Sequence, residues 1–187
     1  MQGNGMATSS IGATGAIRSK ITGTGMCVPD NVVTNHDLAK RIDTSDEWIR
    51  QRSGIVERRW IEEGETPSSL AEVATLQALE QAGLEAGDID CILLATLSAE
   101  HEFPGSSFFL HQRLDFGEIP CMDVRAQCSG FLYALSMADA LVCSGRYDRV
   151  LVVGCEVHSS APLGTVCAGL TGRPFLPFWT VAPVVPF

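Results

Sequence analysis

The chain has 187 residues, 45% of them hydrophobic and 19% charged, enough apolar side chain for a core and too much for wholesale disorder. Its 22 acids outnumber 13 Lys and Arg, for a net charge of −9. That balance excludes general attraction to nucleic acid or to an anionic membrane surface, and an anionic small molecule would need a local basic patch.

Residues 1–17 are rich in Gly, Ser, Thr and Ala and carry no charge, and read as a flexible leader. Residues 18–160 alternate strand-like and helix-like segments. The stretch 20–28 reads as a strand broken by Gly23 and Gly25. A short helix is expected over 34–42. Thr44-Ser45-Asp46-Glu47 fits a capping box, so a second helix should begin there with Thr44 as its cap, and Gly54 should end it. Residues 55–61 have strand character. Over 68–82, Leu70, Val73, Ala74, Ala78 and Leu79 recur at helical spacing, and Gly83 stops the pattern. Residues 91–97 form a short uncharged run, which suits a strand buried on both faces of a parallel sheet. Residues 106–114 read as a helix and 121–124 as a strand. A helix follows over 129–143, with Phe131, Leu135, Ala138 and Val142 on one face and Gly145 beyond its end. Residues 150–154 are a second buried strand. Strands alternating with helices predict a layered α/β fold with a mostly parallel sheet.

Residues 161–187 differ again. They hold five of the nine prolines, one charged residue (Arg173) and no acid. We expect an aberrant, irregular tail that packs poorly, and read the composition as an out-of-frame product beginning near codon 161. A genuine divergent tail is the alternative. No run is long and apolar enough for a membrane span, and the N-terminal residues lack the apolar core of a secretory signal. A cytoplasmic protein is the expectation.

Seven cysteines are present: Cys27, Cys91, Cys121, Cys128, Cys143, Cys155 and Cys167. None forms a Cys-x-x-Cys pair, so no metal site is expected, and an odd number in apolar runs suits buried free thiols. Cys128 differs. It stands a few residues past a strand, at the head of a predicted helix, in Asp123-Val124-Arg125-Ala126-Gln127-Cys128-Ser129-Gly130-Phe131. A helix N-terminus favours the thiolate, and a strand-to-helix turn presents the side chain. Gly130 permits close approach, and the Cys128 N–H could serve an oxyanion. A buried structural cysteine remains the competing reading of the position by itself.

Several segments in fixed order carry a resemblance. They are Ile21-Thr22-Gly23-Thr24-Gly25, Pro29, Thr34-Asn35, Asp43-Thr44-Ser45-Asp46-Glu47-Trp48-Ile49, Arg52-Ser53-Gly54-Ile55 and Arg58. Phe103-Pro104, the 123–131 segment, Tyr133-Ala134-Leu135 and Leu151-Val152-Val153-Gly154 follow. Over about 18–160 the chain resembles the N-terminal half of β-ketoacyl-acyl-carrier-protein synthase III, in the thiolase superfamily. The resemblance implies a thiolase-like helix/sheet/helix fold of which only the first of two halves is present. It implies an acyltransferase that loads an acyl group from acyl-CoA onto Cys128 and condenses it, with decarboxylation, with malonyl-acyl-carrier protein to start fatty acid synthesis. By the same token Trp48 stacks on the CoA adenine, Arg52 lies on the CoA surface with Thr44 beside it, and Phe103 lines the acyl pocket, often from across the dimer interface. No cofactor is implied, since acyl-CoA is a substrate, and a homodimer is.

Each of these residues has a plainer reading: Trp48 as half-buried core, Arg52 as a helix-end charge, Thr44 as a cap, Phe103 as loop packing. His36, His101, His111 and His158 fall outside the family's catalytic positions and read as surface or structural. A cysteine hydrolase is a weaker candidate, because no histidine is placed as its base. The histidine and asparagine that serve condensation in the family belong to its second half and find no counterpart in these residues. The alternative to an acyltransferase is therefore a non-catalytic fragment or pseudoenzyme that contributes only a dimerisation or CoA-binding surface.

Overall fold

The computed structural model describes residues 18–158 and the strand backbone at 180–181 and 184–186. Its strands and helices are, in chain order, β1 (Met26–Cys27), β2 (Asn31–Thr34), α1 (Asn35–Ala39), α2 (Asp46–Ser53), β3 (Glu57–Trp60), α3 (Pro67–Ala82) and β4 (Cys91–Ala95). Then come α4 (Ser106–Leu114), β5 (Cys121–Val124), α5 (Gly130–Cys143), β6 (Arg149–Gly154), β7 (Thr180–Val181) and β8 (Val184–Pro186).

The main sheet runs β1-β7-β6-β4-β5, with β8 also on β6, and β4 pairs in parallel with both β5 and β6. Alternation of side chains gives each face its own core. Ile92, Leu94, Leu151 and Val153 pack under α3 and α4 with Ala74, Ala78 and Leu110. Cys91, Leu93, Val150 and Val152 pack under α5 with Ala134, Ala138 and Val142. All these side chains are fully buried, each large one contributing about 1.5–3 kcal/mol. The uncharged strands are thus covered on both sides, and the expected helix/sheet/helix architecture is present.

A second small unit stands beside it. β2 and β3 form an antiparallel pair, and Val33, Leu38 and Ile49 make a core with Trp48, Ile55 and Trp60 around it. A buried polar chain fastens this unit. Arg58 Nη1 donates to Val33 O at 3.0 Å and Nη2 to Asn35 Oδ1 at 2.6 Å. Asn35 Nδ2 in turn donates to Asp46 Oδ1 and Ile55 O, both at 2.8 Å.

Four local expectations are corrected. The strand expected over 20–28 shrinks to Met26–Cys27, because this segment crosses α3: Gln81 Oε1 accepts from Thr24 N at 2.6 Å and Gln77 Oε1 from Met26 N at 3.1 Å. Gly23 and Gly25 are the points of closest approach, where a Cβ would collide with the Ala78 and Ala74 carbonyls. The helix expected over 34–42 is only Asn35–Ala39, with Thr34 ending β2 and capping α1. The second helix is capped by Ser45, whose Oγ accepts from Trp48 N at 3.1 Å, and not by Thr44. Val73, expected on the apolar face of α3, is 44% exposed, and Ala71 is buried in its place.

At the C-terminal end, β7 and β8 pair antiparallel with β6, and β7 lies between β6 and β1. This corrects the expected irregular tail at those five residues. The β7 strand is thus in register with both β1 and β6. The physical reason is that β6 offers an open row of backbone groups, which Thr180, Val181, Val184 and Val185 suit as β-branched residues. The rest of the tail and residues 1–17, including Cys167, lie outside the described residues. No helix among the described residues is long and apolar enough to cross a membrane.

Candidate active site

Parallel strands β4, β5 and β6 end at one edge of the sheet, and the loops that leave this edge carry the candidate chemistry. β5 stops at Val124. Gln127 then takes a left-handed backbone, φ +47°, and residues Gln127–Ser129 make one tight 3-10 turn into α5. Ser129 N–H donates to Ala126 O at 3.2 Å, closing that turn. A left-handed non-glycine residue is strained, and here the strain sits immediately before Cys128. The helix expected to begin at residue 129 begins at Gly130, one residue later. Gly130 allows close packing: a Cβ there would stand 3.2 Å from the Ala95 Cβ on β4, tighter than an ordinary contact. The first turn of α5 is fixed from the other side as well, because Gly154 leaves room for the Phe131 ring. The turn is therefore seated on β4 and β6, with its cysteine outward.

Cys128 is the exposed cysteine among the six described. The Cys91 and Cys121 thiols sit in the sheet, and burial pushes both up to about 11. Burial also raises Cys27, helped by Glu65 and Asp30. Cys91 and Cys155 are buried and Cys27, Cys121 and Cys143 half-buried, so Cys128 is the accessible thiol among the described residues.

Two groups buttress the same edge, and sequence reasoning did not single them out. Glu156, just past β6, accepts from Leu97 N at 2.6 Å and from Ser98 Oγ at 2.9 Å, and Val157 N donates to Ser98 Oγ at 2.6 Å. This locks the ends of β4 and β6 together. Asp123 on β5 accepts from Ser106 N and Ser107 N, at the start of α4. Neither has a periodic sequence signal, since each partner is on a different element.

The remaining candidates divide between two places. Phe103 lies on the loop after β4, at the same edge as Cys128, and is 90% exposed. Trp48, Arg52 and Thr44 belong to α2 and the turn before it, in the small unit. Trp48 packs against its core, while the Arg52 guanidinium carbon stands 4.6 Å from the Trp48 ring centroid. The Thr44 hydroxyl is buried without a hydrogen-bond partner. Of the histidines, His111 Nε2 is 2.5 Å from Gly117 O, His101 lies against the Phe109 ring, and His158 Nε2 is 3.5 Å from Glu156 Oε2. Among the described residues no group of three or more His, Cys, Asp or Glu could hold a metal ion.

The strand, turn and first helix that carry the cysteine are the part matched by a family model. Residues 122–162 match 3-oxoacyl-[acyl-carrier-protein (ACP)] synthase III. The β-ketoacyl-[acyl-carrier-protein] synthase III of Methylococcus capsulatus is 50% identical over 141 residues, which are 75% of this chain and 44% of that protein. The corresponding protein of Laribacter hongkongensis is 45% identical over 141 residues, again 75% of this chain and 44% of the relative. Among solved structures, the 3-oxoacyl-[acyl-carrier-protein] synthase III of Aquifex aeolicus superposes with a TM-score of 0.82 at 40% identity, over 90% of this chain and 54% of that one. The Thermus thermophilus enzyme gives 0.80 at 34% identity, over 89% and 51%. The chain thus spans about half the length of the relatives it matches.

Proposed function

We propose, for a chain that belongs to the β-ketoacyl-acyl-carrier-protein synthase III family and spans its N-terminal part, that Cys128 accepts an acyl group from acyl-CoA as the first half of a decarboxylative condensation. The observation that carries this reading is the exposed thiol on a strained turn at the head of α5.

The Cys128 thiolate adds to the thioester carbonyl. The tetrahedral oxyanion is held by backbone N–H groups of the turn, and the CoA thiolate leaves with a proton. The product is an acyl thioester on Cys128. In the second half, malonyl-acyl-carrier protein loses CO₂, its α-carbon attacks the Cys128 thioester, and the thiolate departs from a β-ketoacyl product. By the family resemblance this step draws on a histidine and an asparagine outside these residues. Losing one preorganised donor costs about 3–4 kcal/mol, so the 187 residues alone should acylate without condensing. Trp48 and Arg52 would receive the adenine and phosphates of CoA, and Phe103 would bound the acyl chain. A homodimer fits the same reading.

A second reading has its own support. Leu132 and Tyr133 on α5 are 67% and 59% exposed, with Met137 one turn further, an apolar patch on the outward side of a helix whose other side packs on the sheet. Such a face suits a contact surface, as in a non-catalytic subunit. Intact-mass spectrometry with acetyl-CoA separates the two. Acetylation lost in Cys128→Ser supports the acyltransferase, and an unmodified wild-type chain that still binds CoA supports the contact-surface reading.

A further inference from the structure

At the edge where β4, β5 and β6 end, the backbone ladder gives way to a side chain. Cys155 N–H donates to Ala95 O at 3.0 Å, a rung between β6 and β4, and Thr96 N–H donates to Val124 O at 3.2 Å, a rung between β4 and β5. In a parallel pair the next rung between β4 and β6 would run from Leu97 N–H to the Cys155 carbonyl. Leu97 N–H donates instead to Glu156 Oε1, at 2.6 Å. The other oxygen of that carboxylate accepts from Ser98 Oγ at 2.9 Å, and Ser98 Oγ accepts from Val157 N–H at 2.6 Å. His158 Nε2 stands 3.5 Å from the same oxygen. One partly buried carboxylate thus bridges the ends of two strands, and charge-assisted bonds of this kind are short and directional.

Those two strand ends are also the seat of the Cys128 turn. Gly130, two residues after Cys128, packs on Ala95, two residues before Leu97: a Cβ at Gly130 would stand 3.2 Å from the Ala95 Cβ. Phe131 packs on Gly154, two residues before Glu156: a Cβ at Gly154 would stand 3.1 Å from the Phe131 ring. The start of α5 therefore touches β4 at one point and β6 at another, and the carboxylate joins the same strands one pleat beyond both contacts. The left-handed Gln127 just before Cys128 persists only where its surroundings over-determine it. Movement of β4 against β6 would shift the supports of Gly130 and Phe131 by different amounts and let that turn relax.

We propose that Glu156 is a positioning residue for Cys128: its carboxylate fixes the ends of β4 and β6 relative to each other, and so holds the strained turn in the form that presents the thiol. This rests on Cys128 as the acyl acceptor. Glu156 acts through the backbone of the two strands. A carboxylate suits the place because two donors on one strand, Leu97 N–H and Ser98 Oγ–H, each need an acceptor oxygen. Glutamine keeps one such oxygen, and alanine keeps none.

The test compares wild type with Glu156→Gln, Glu156→Ala and Ser98→Ala. Acylation of Cys128 is followed by mass spectrometry over a range of acetyl-CoA concentrations, and its alkylation by iodoacetamide is timed in parallel. Amide exchange is read at Ser129, whose N–H closes the turn, and at Leu93 and Val152 inside the strands. In Glu156→Ala the saturating acylation rate should fall roughly tenfold or more with the half-saturating concentration held within about twofold, since a displacement of about 1 Å at a reacting group has effects of this size. Alkylation should slow in the same variant, and exchange should quicken more at Ser129 than at Leu93 and Val152. Glu156→Gln should recover most of each loss. Ser98→Ala removes the bridge from the other strand, should show the same pattern in weaker form, and decides the matter if a Glu156 variant fails to fold. A bond that only adds stability would quicken exchange at all three amides alike and leave acylation and alkylation of the folded protein unchanged, and that result overturns the proposal. If acetyl-CoA leaves the wild type unmodified while alkylation depends on Glu156, the positioning role stands and the acyl-transfer reading falls.

Discussion

The Arg52 guanidinium lies over the Trp48 indole, 4.6 Å from its centroid, one helical turn further along α2. A cation over an indole face is favourable, and it sets a planar donor beside a half-buried aromatic ring on one strip of α2. If that strip receives the adenine end of CoA, Trp48→Ala should weaken CoA binding by about 1–3 kcal/mol, the range for stacking a base on an aromatic side chain. Calorimetric titration with CoA measures it. Equal affinities for the two proteins would remove Trp48 from the site.

The amide of Asn35 joins a buried cation to an acid, its oxygen accepting from Arg58 and its nitrogen donating to Asp46. Arg58 is 4% exposed and Asn35 1%. Asn35→Ala leaves the guanidinium short of an acceptor in a dry site, which should cost about 3 kcal/mol. Asn35→Asp keeps the bond to Arg58 but sets two carboxylates face to face, and should cost less than the alanine. Urea unfolding gives both values, and a neutral Asn35→Ala would show that the chain of bonds is dispensable.

Gln127 holds φ +47° in the turn that presents Cys128. A left-handed L-residue costs about 1–2 kcal/mol relative to glycine in the same well, partly offset by the extra unfolded-state entropy of glycine. Gln127→Gly should therefore be neutral or stabilising by up to about 1 kcal/mol, and Gln127→Val clearly destabilising. Cys128 reactivity toward iodoacetamide should drop in Gln127→Val, whose β-branched side chain opposes the turn. Loss of stability in the glycine variant would mean that the turn is not strained.

Stability should respond to pH at the alkaline end. Cys91 and Cys121 are raised to about 11, burial being the first cause in each. An unfolded thiol ionises near 8.5, so below that pH both states are protonated and folding loses nothing. Above it the unfolded chain releases protons that the folded chain retains, and stability falls as pH rises through the window up to about 11. Urea midpoints at pH 8 and pH 10.5 measure the fall, and Cys91→Ala should flatten it. Asp46 works in the opposite sense. Arg50, and then Asn35, hold its carboxyl below the usual value. Its contribution is present above about pH 4 and is lost as pH falls further.

Much of the fold was decided by local sequence. The uncharged runs at β4 and β6 can be stable only with both faces covered, and both are fully buried along their cores. The helix over 106–114 and the strand over 121–124 fell where spacing put them, and the turn carrying Cys128 was legible as an exposed thiol between a strand and a helix. Tertiary structure decided what depends on partners distant in the chain. Gln77 and Gln81 of α3 take backbone groups that would otherwise extend β1. β6 drew residues 180–181 and 184–186 into strands that their composition did not announce. Asp123 became a helix cap for residues 17 and 16 positions away, and Asn35 a link between Arg58 and Asp46. Periodicity records which face of an element is apolar, because burial acts on every side chain of that face alike. A hydrogen bond between two single residues leaves no period, and its partner is chosen only when the sheet brings the two ends together.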